Sequence, residues 1–481
     1  MLRLSRAGLA LSLFVAAIIA PAVAALAGEP YSYLKDAPPY LNSPGLERNP
    51  GGFPMVLRVK DPDIKKPELP KDRPVTLDEC VAYALGYQPK VKAAEWDFSA
   101  GQFRTYEGIS AFWPSASFDA SRSHQHSQRA GNVAVSTPAS GISDAFSIQN
   151  DFAFTVNWTL FDFGRTYYGV KSLESVEGSL LRDLSAAQQG VVYDTMTAYF
   201  GLLATQSLVK VSEESLANAN NHLKQAQAFF EVGTKPKFDV TSAEVEVNTA
   251  LLQLIQAKDA VKAARAALNT TLGIDPLTPT AVAERPSFDK LDRPVDSYIK
   301  EAMANRPEIQ SQKERVRSNE FSVLAAVSDY KPSISATATQ DWSKLDHGEM
   351  LSNQALKFAV DVPLFNGFRT TSRVGETRAG VLSSRYRLED LENSVKLDVT
   401  LSFVGYEDAQ ARVDTLDASV KKAQENLDIA RGRYDAGVGS IIEVNDAQVS
   451  LTQAQTDKVK AVFDYNSAIV KVFRSTGKPV K

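Results

Sequence analysis

Cysteine is almost absent from this chain: Cys80 is the only one in 481 residues. No disulfide can form within the chain, so a cystine-stapled scaffold is excluded. Cys80 sits among Leu77, Val81 and Ala84 and reads as a small buried residue. Long hydrophobic runs are absent after residue 27, which excludes a transmembrane helix from the rest of the chain. An excess of either charge is absent too. The 53 Lys and Arg against 57 Asp and Glu leave a net charge of −4, so no nucleic acid or other polyanion is implied as a partner. Histidine is scarce. His124-x-His126 forms a close pair and His347 lies in another loop, but no acidic or thiol cluster joins them and no metal is expected. The STGK at 475–478 lacks the upstream glycine of a phosphate loop, and Gly437-Val438-Gly439 is a turn. No nucleophile and base stand in a catalytic pattern, so neither catalytic residues nor a cofactor is expected.

What is present begins with a leader. Arg3 and Arg6 precede an uncharged apolar run from Ala7 to Ala20, and Pro21 leads to the A-x-A site Ala25-Leu26-Ala27. The run is short of the roughly 20 residues that span a bilayer, so 1–27 reads as a secretory signal peptide. No cysteine follows the cleavage site, and a lipid-anchored N-terminus is not expected. Residues 28–74 hold ten prolines and no period, the composition of an extended N-terminal arm.

The rest is built twice. Gln88-Pro89 and Arg306-Pro307 open similar segments, and Pro114 and Pro332 close them. VNWTLFDFGR at 156–165 is answered by VDVPLFNGFR at 360–369, 204 positions on, and Tyr193/Leu397, Phe230/Tyr434, Gly233/Gly437 and Gly273/Gly477 keep that offset. The first repeat is 75–273, 274–294 is a linker, the second repeat is 295–477, and 478–481 is a tail. The one length change, between Pro114 and Phe154, marks a surface loop.

Within each repeat a heptad runs up to a turn and resumes after it. Leu202, Val209, Leu216, Leu223 and Phe230 lead to the first turn, and Val240, Val247, Leu254, Val261 and Leu268 leave it. Alanines follow three positions on, at Ala243, Ala250, Ala257 and Ala264. The second repeat gives Tyr406, Val413, Val420, Leu427 and Tyr434, then Val444, Leu451, Lys458, Tyr465 and Val472 with Ala447, Ala454, Ala461 and Ala468. Heptads with alanine at one core position predict closely approaching coiled-coil helices, joined here as antiparallel hairpins; an ordinary bundle is the alternative. The first of these helices runs from near Arg165 to Val232, roughly 100 Å at 1.5 Å per residue.

Between Pro114 and Arg165 the period is two. Phe152, Phe154, Val156, Trp158 and Leu160 alternate with polar or small residues, as do Leu356, Phe358, Val360, Val362 and Leu364. The partner strands alternate at Ala116, Phe118 and Ala120 and at Ile334, Ala336 and Ala338, giving hairpins over 115–163 and 333–367. Strands of about ten residues with one apolar face suit a transmembrane β-barrel, against the alternative of a half-buried sheet in a soluble protein. Four strands cannot close a barrel, for which about eight is the minimum, so more than one chain is needed; three would give twelve.

From 75 to 477 the chain resembles the TolC family of outer-membrane efflux channels. The resemblance rests on the TLDECVAYAL helix, the QP and RP helix starts, Pro114 and Pro332, the LFDFGR and LFNGFR junctions and the two glycine turns. It implies a mainly α fold with a small β part: a homotrimer whose twelve-stranded barrel, four strands per chain, crosses the outer membrane. That barrel would be continuous with a long periplasmic coiled-coil barrel. Residues 76–87 and 274–306 would form a belt at the tunnel's waist. The implied partners are outer-membrane lipid, a periplasmic adaptor protein and an inner-membrane pump. The implied function is an exit duct for small toxic compounds. A duct for type I protein secretion is the alternative, and a periplasmic coiled-coil protein without a pore is the reading of a different class.

The same resemblance gives the turns a role. Residues 231–239 and 435–443 become periplasmic tips, with Val232, Gly233, Thr234, Gly437, Val438 and Gly439 as candidates for adaptor docking. Glu443 and Asp446 share a face at i and i+3, and the resemblance places them in an acidic ring at the pore entrance, with Asp239 from the first repeat. Ser440 and Glu443 also fit a capping box. The best-known members carry an arginine five residues after the aromatic of the turn, where this chain has Gly439. A closing salt bridge from that position is absent; Lys235 holds the matching place in the first repeat, so the gate is expected to be held by Lys235, by Tyr434 or more weakly.

Overall fold

The computed structural model describes residues 73–130, 142–284, 288, 290–345 and 348–478, with side chains omitted at 127–130 and 142–147. The signal peptide, the arm up to residue 72, His347 and residues 479–481 lie outside the described residues.

The duplication is exact in the helices. Each repeat has a helix of 11 residues, α1 (Leu77–Tyr87) and α5 (Val295–Asn305), then one of 22, α2 (Pro89–Ser110) and α6 (Pro307–Ser328). Two strands follow, β1 (Ser115–Ala130) and β2 (Ile142–Phe161) or β3 (Ser333–Leu345) and β4 (Met350–Asp361). Helices of 67 residues, α3 (Arg165–Glu231) and α7 (Arg369–Asp435), lead to helices of 36, α4 (Lys237–Leu272) and α8 (Ile441–Thr476).

Local chemistry sets these ends. Thr76 and Glu79 close a capping box on α1, and hydrogen bonds from Arg73 and Thr76 hold the Glu79 carboxyl down to about 2. Pro89 and Pro307 occupy the first turns of α2 and α6, where the missing N–H costs nothing. At the strand-to-helix junctions Asp162 accepts from Thr166 N at 2.8 Å, and Asn366 accepts from Thr370 N at 3.4 Å. Gly273 and Gly477 end α4 and α8 in the left-handed region. A side chain at either would press on the next helix start, since a Cβ would lie 3.1 Å from Pro89 and 2.9 Å from Arg306. Gln88 then donates to the Thr271 carbonyl at 3.2 Å. The short helices thus stack end to end, α4 on α2 and α8 on α6.

The result is a wall of four columns. α3 packs against α2 and α4 on one side and α6 and α8 on the other, and α7 packs against α6 and α8. At 1.5 Å per residue α3 and α7 are about 100 Å long. At the joints, α1 covers a core with Cys80, Tyr199 and Leu272, and α5 covers one with Tyr298, Tyr406 and Ile469. Burial pushes the Cys80 thiol up to about 12. The Tyr199 hydroxyl lies 2.7 Å from Ala283 O and 3.2 Å from Val75 O, tying both the linker and the start of the first repeat to α3.

Half of the expected heptad positions are buried, among them Leu427, Tyr434, Val444, Leu451, Ala243, Ala250, Ala447 and Ala461, and the rest, Phe230 aside, are half-buried. The lower half of α3 differs. Leu216 and Leu223 are half-buried and Phe230 is exposed, while Ser215, Ala219, His222 and Ala226 are buried. α3 lies between α4 and α8, and small or polar side chains fill the seam where they meet.

All four strands pair antiparallel in the order β1-β2-β3-β4, and at 16, 20, 13 and 12 residues they exceed the expected ten. Opposite residues share a face. One face stacks the rows Ala116/Val156/Ala338/Leu356 and Ala120/Phe152/Trp342/Ser352; the other stacks Ser117/Thr155/Thr339/Ala355 and Asp119/Ala153/Asp341/Asn353. The expected alternation breaks at its end. Register shifts between Thr159 and Phe161, so Phe161 rather than Leu160 stands opposite Ile334. Such a bulge bends the strand as it passes into α3.

Candidate functional site

Two regions carry the features expected of a channel: the two-faced sheet and the hairpin tips at the opposite end of α3 and α7.

The sheet has two edges, β1 and β4, with no strand beyond them among the described residues. Where the strands meet α3 and α7, large apolar residues stand exposed, among them Phe161, Phe163, Leu364, Phe365 and Phe368. Among the described side chains the polar face carries Asp119, Asp151, Asp341 and Asp361 against one cation, Lys357.

At the tips, Gly233 and Gly437 both adopt φ +76° and reverse the chain. Val232 and Val438, beside them, are among the most exposed hydrophobic residues, at 72% and 69%. Thr234 N donates to Phe229 O at 2.9 Å in the first turn, and Val438 N donates to Arg433 O at 3.0 Å in the second. The second turn is tighter. A Cβ at Gly439 would lie 2.9 Å from Tyr434 N and 3.0 Å from the Arg433 carbonyl carbon, so an arginine there would require the turn to shift. Lys235, its counterpart, has room for a side chain.

That side chain crosses to the other repeat. Lys235 Nζ lies 4.5 Å from the centroid of the Tyr434 ring, within cation–π range. The Tyr434 hydroxyl donates to Asp239 Oδ2 at 3.0 Å, and the Phe229 ring meets Tyr434 edge-on at 5.9 Å. Burial, reinforced by the Asp239 bond, raises the Tyr434 pKa, so the hydroxyl stays a donor at any physiological pH. Asp239 and its counterpart Glu443 are therefore placed differently. Asp239 is buried under Tyr434, whereas Glu443 is exposed and lies 3.3 Å from Arg433 Nε. The capping box is half formed: Ser440 Oγ accepts from Glu443 N at 3.3 Å, but the Glu443 carboxylate turns to Arg433. Asp446 is exposed on α8, with no ion pair among the described residues.

Further from the tip lies a polar layer that no motif announced. Arg431 Nε donates to His222 Nε2 at 3.1 Å, and its NH2 group donates to Gln448 Oε1 at 3.1 Å. An accepting Nε2 leaves the neutral ring's proton on Nδ1, which faces Glu246 Oε2 at 3.8 Å. The signal was a polar residue in the buried register: His222 lies seven positions after Ser215, in the row that the apolar heptad overlooked. Gln225–Asp435 and Asn445–Ser242 add further bonds between the repeats.

Comparison with known proteins decides the family. Its profile, described as outer membrane efflux protein, matches residues 81–274 and 298–478. The chain belongs to the outer membrane efflux protein family. It is 24% identical over 328 residues to the outer membrane efflux protein BepC of Brucella suis biovar 1, covering 67% of this chain and 71% of that one. It is 22% identical over 308 residues to the alkaline protease secretion protein AprF of Pseudomonas aeruginosa, covering 61% and 63%. The solved structure of the outer-membrane channel OprN superimposes with a TM-score of 0.73 at 18% identity, over 84% of this chain and 90% of that one. This efflux-family protein is thus an outer-membrane channel-tunnel of the efflux and secretion type, a conduit rather than an enzyme. Its sheet belongs to the outer membrane and its helices to the periplasm. The reading as a coiled-coil protein without a pore falls with the family match.

Proposed function

We propose that three copies close their sheets edge to edge into a twelve-stranded barrel and that the trimer is the exit duct of a tripartite pump for small toxic compounds. The observation that carries this is the open four-stranded sheet with one apolar face. Its edges need partners in lipid, and four strands are too few to close. Exposed apolar side chains on the outer columns, such as Leu252 and Ile255 on α4 and Leu397 and Leu401 on α7, suit neighbouring copies. The tips around Val232, Gly233, Thr234, Gly437, Val438 and Gly439 dock the periplasmic adaptor, which links the duct to an inner-membrane pump. Glu443 and Asp446 line the entrance, and the Lys235–Tyr434–Asp239 contacts hold it shut. A type I secretion duct is the second reading, supported by the relative AprF, named for protease secretion.

A photoreactive residue at Val438, crosslinked in the native cell and read by mass spectrometry, tests this. Capture of the adaptor of a proton-driven pump is the expected result. Capture of the adaptor of an ATP-driven exporter selects the secretion reading. A correctly inserted protein that captures no adaptor removes the docking role of the tips.

A further inference from the structure

Among the described side chains most charge is sorted between the two faces of the sheet, and the sorting has a second level. On the face that stacks Phe118, Phe154 and Trp342, the charged and titratable groups among the described side chains are Arg122, Lys344, His124 and His126. All four lie toward the end of the strands far from the helices. Arg122 stands opposite Asn150, and Asn150 opposite Lys344, so the three form one row across β1, β2 and β3. His124 begins the next row on the same face. Among the described side chains, the carboxylates of these strands, Asp119, Asp151, Asp341 and Asp361, occupy the other face, and none pairs with Arg122 or Lys344.

The height of the row is informative. From Ile334, beside the exposed aromatic residues at the helix end, to Lys344 is ten residues. At about 3.4 Å per residue and the usual tilt of roughly 40°, this is about 26 Å of height, one apolar band of an outer-membrane barrel. The near rim is therefore aromatic and the far rim cationic, each at a headgroup level. Arg122 and Lys344 are separated by a single strand, about 10 Å at the backbone. Two long cationic side chains at that spacing, with a neutral amide between them, suit phosphate groups carried on a sugar. Arginine grips phosphate through paired N–H donors, lysine adds a point charge, and Asn150 suits a hydroxyl.

We propose that Arg122, Asn150 and Lys344 form a lipid-facing site for the phosphates of a phosphorylated glycolipid in the far leaflet of the outer membrane. The proposal rests on the closed-barrel reading above, which turns this face to lipid. The site anchors each subunit at a fixed depth through charge that the aromatic rim does not supply.

The test is native mass spectrometry of the detergent-purified full chain, titrated with bis-phosphorylated lipid A, monophosphoryl lipid A and phosphatidylglycerol. The bis-phosphorylated lipid should be retained best. R122Q/K344Q should retain it about tenfold less well. R122K/K344R, which keeps both charges, should retain most of the binding, and K357Q, which removes one cation from the opposite face, should bind as the parent does. Equal retention by R122Q/K344Q and the parent overturns the proposal, as does phosphatidylglycerol binding as well as lipid A. Conductance of the same preparations in planar bilayers separates the two levels. Conducting channels without lipid A selectivity sink this site alone, whereas absence of both an oligomer and conductance sinks the barrel reading and the site with it.

Discussion

Tyr434 concentrates the chemistry of the tip in one side chain. It closes the apolar core of the second hairpin, donates to a buried carboxylate of the first repeat and receives the Lys235 ammonium on its ring face. Replacing it with phenylalanine keeps the core and the ring but leaves Asp239 buried without that donor, a loss of about 1–3 kcal/mol. The contact joins the two hairpins, so Tyr434→Phe should loosen the closed tip and raise the resting single-channel conductance. Asp239→Asn, which keeps an acceptor for the hydroxyl, should do so less. Conductance equal to the parent's in Tyr434→Phe would remove this residue from the gate. Much of this site was legible in the sequence as a set of names: Tyr434, Lys235, Asp239 and Glu443 all stand beside glycine turns that the duplication exposes. What was not legible was the pairing. Asp239 and Glu443 are equivalent by repeat, yet one is buried and the other exposed, because only Asp239 meets an aromatic hydroxyl from the other repeat. Gly439 reads as a missing arginine, and the structure shows a turn packed so closely that a Cβ there would have to displace its backbone.

At the scale of the element, the coiled-coil hairpins depend on small residues at the seam. Ala243 is fully buried where α4 meets α3, while Ala257, two heptads on, is half-buried. Inserting a leucine at a filled position costs about 1–3 kcal/mol through displaced neighbours. Ala243→Leu should therefore lower the temperature at which the oligomer dissociates, followed by gel mobility after heating, by more than Ala257→Leu. An equal effect of the two would show that the helices do not approach as closely at Ala243 as its burial indicates. The first long helix was readable almost to the residue at both ends, and α2 and α6 at their starts, because prolines, glycines and capping side chains act within a turn of the chain. The seam of α3 was misread, because apolar periodicity finds the greasiest row. The most buried row is the one trapped between two neighbours, and here it holds Ser215, Ala219, His222 and Ala226. The bulge before Phe161 escaped for a similar reason: it shifts the register by one residue without changing the composition of the strand.

For the whole molecule, the charge of the inward face has a consequence for conduction. Three closed sheets would turn Asp119, Asp151, Asp341 and Asp361 of each copy toward the water, against Lys357 among the described side chains. A lining of that sign concentrates cations. Purified channels in a potassium chloride gradient should show a reversal potential on the cation side, and Asp119→Asn with Asp341→Asn should move it toward zero. An anion-selective parent would mean that the polar face does not line the pore.

The sequence by itself determined the duplication, the lengths of the helices, the reversal of the chain at each glycine turn and the two faces of the sheet. The duplication is written in one constant offset of 204 positions, and the others in residues a few positions apart, in caps, breakers and periods of two or seven. Only the tertiary structure decided which side chains meet across the two repeats: Lys235 with Tyr434, Tyr434 with Asp239, Arg431 with His222. Those partners lie some two hundred positions apart. Their contact depends on the helices stacking into columns and bringing both tips to one level, a geometry that no local pattern of residues specifies.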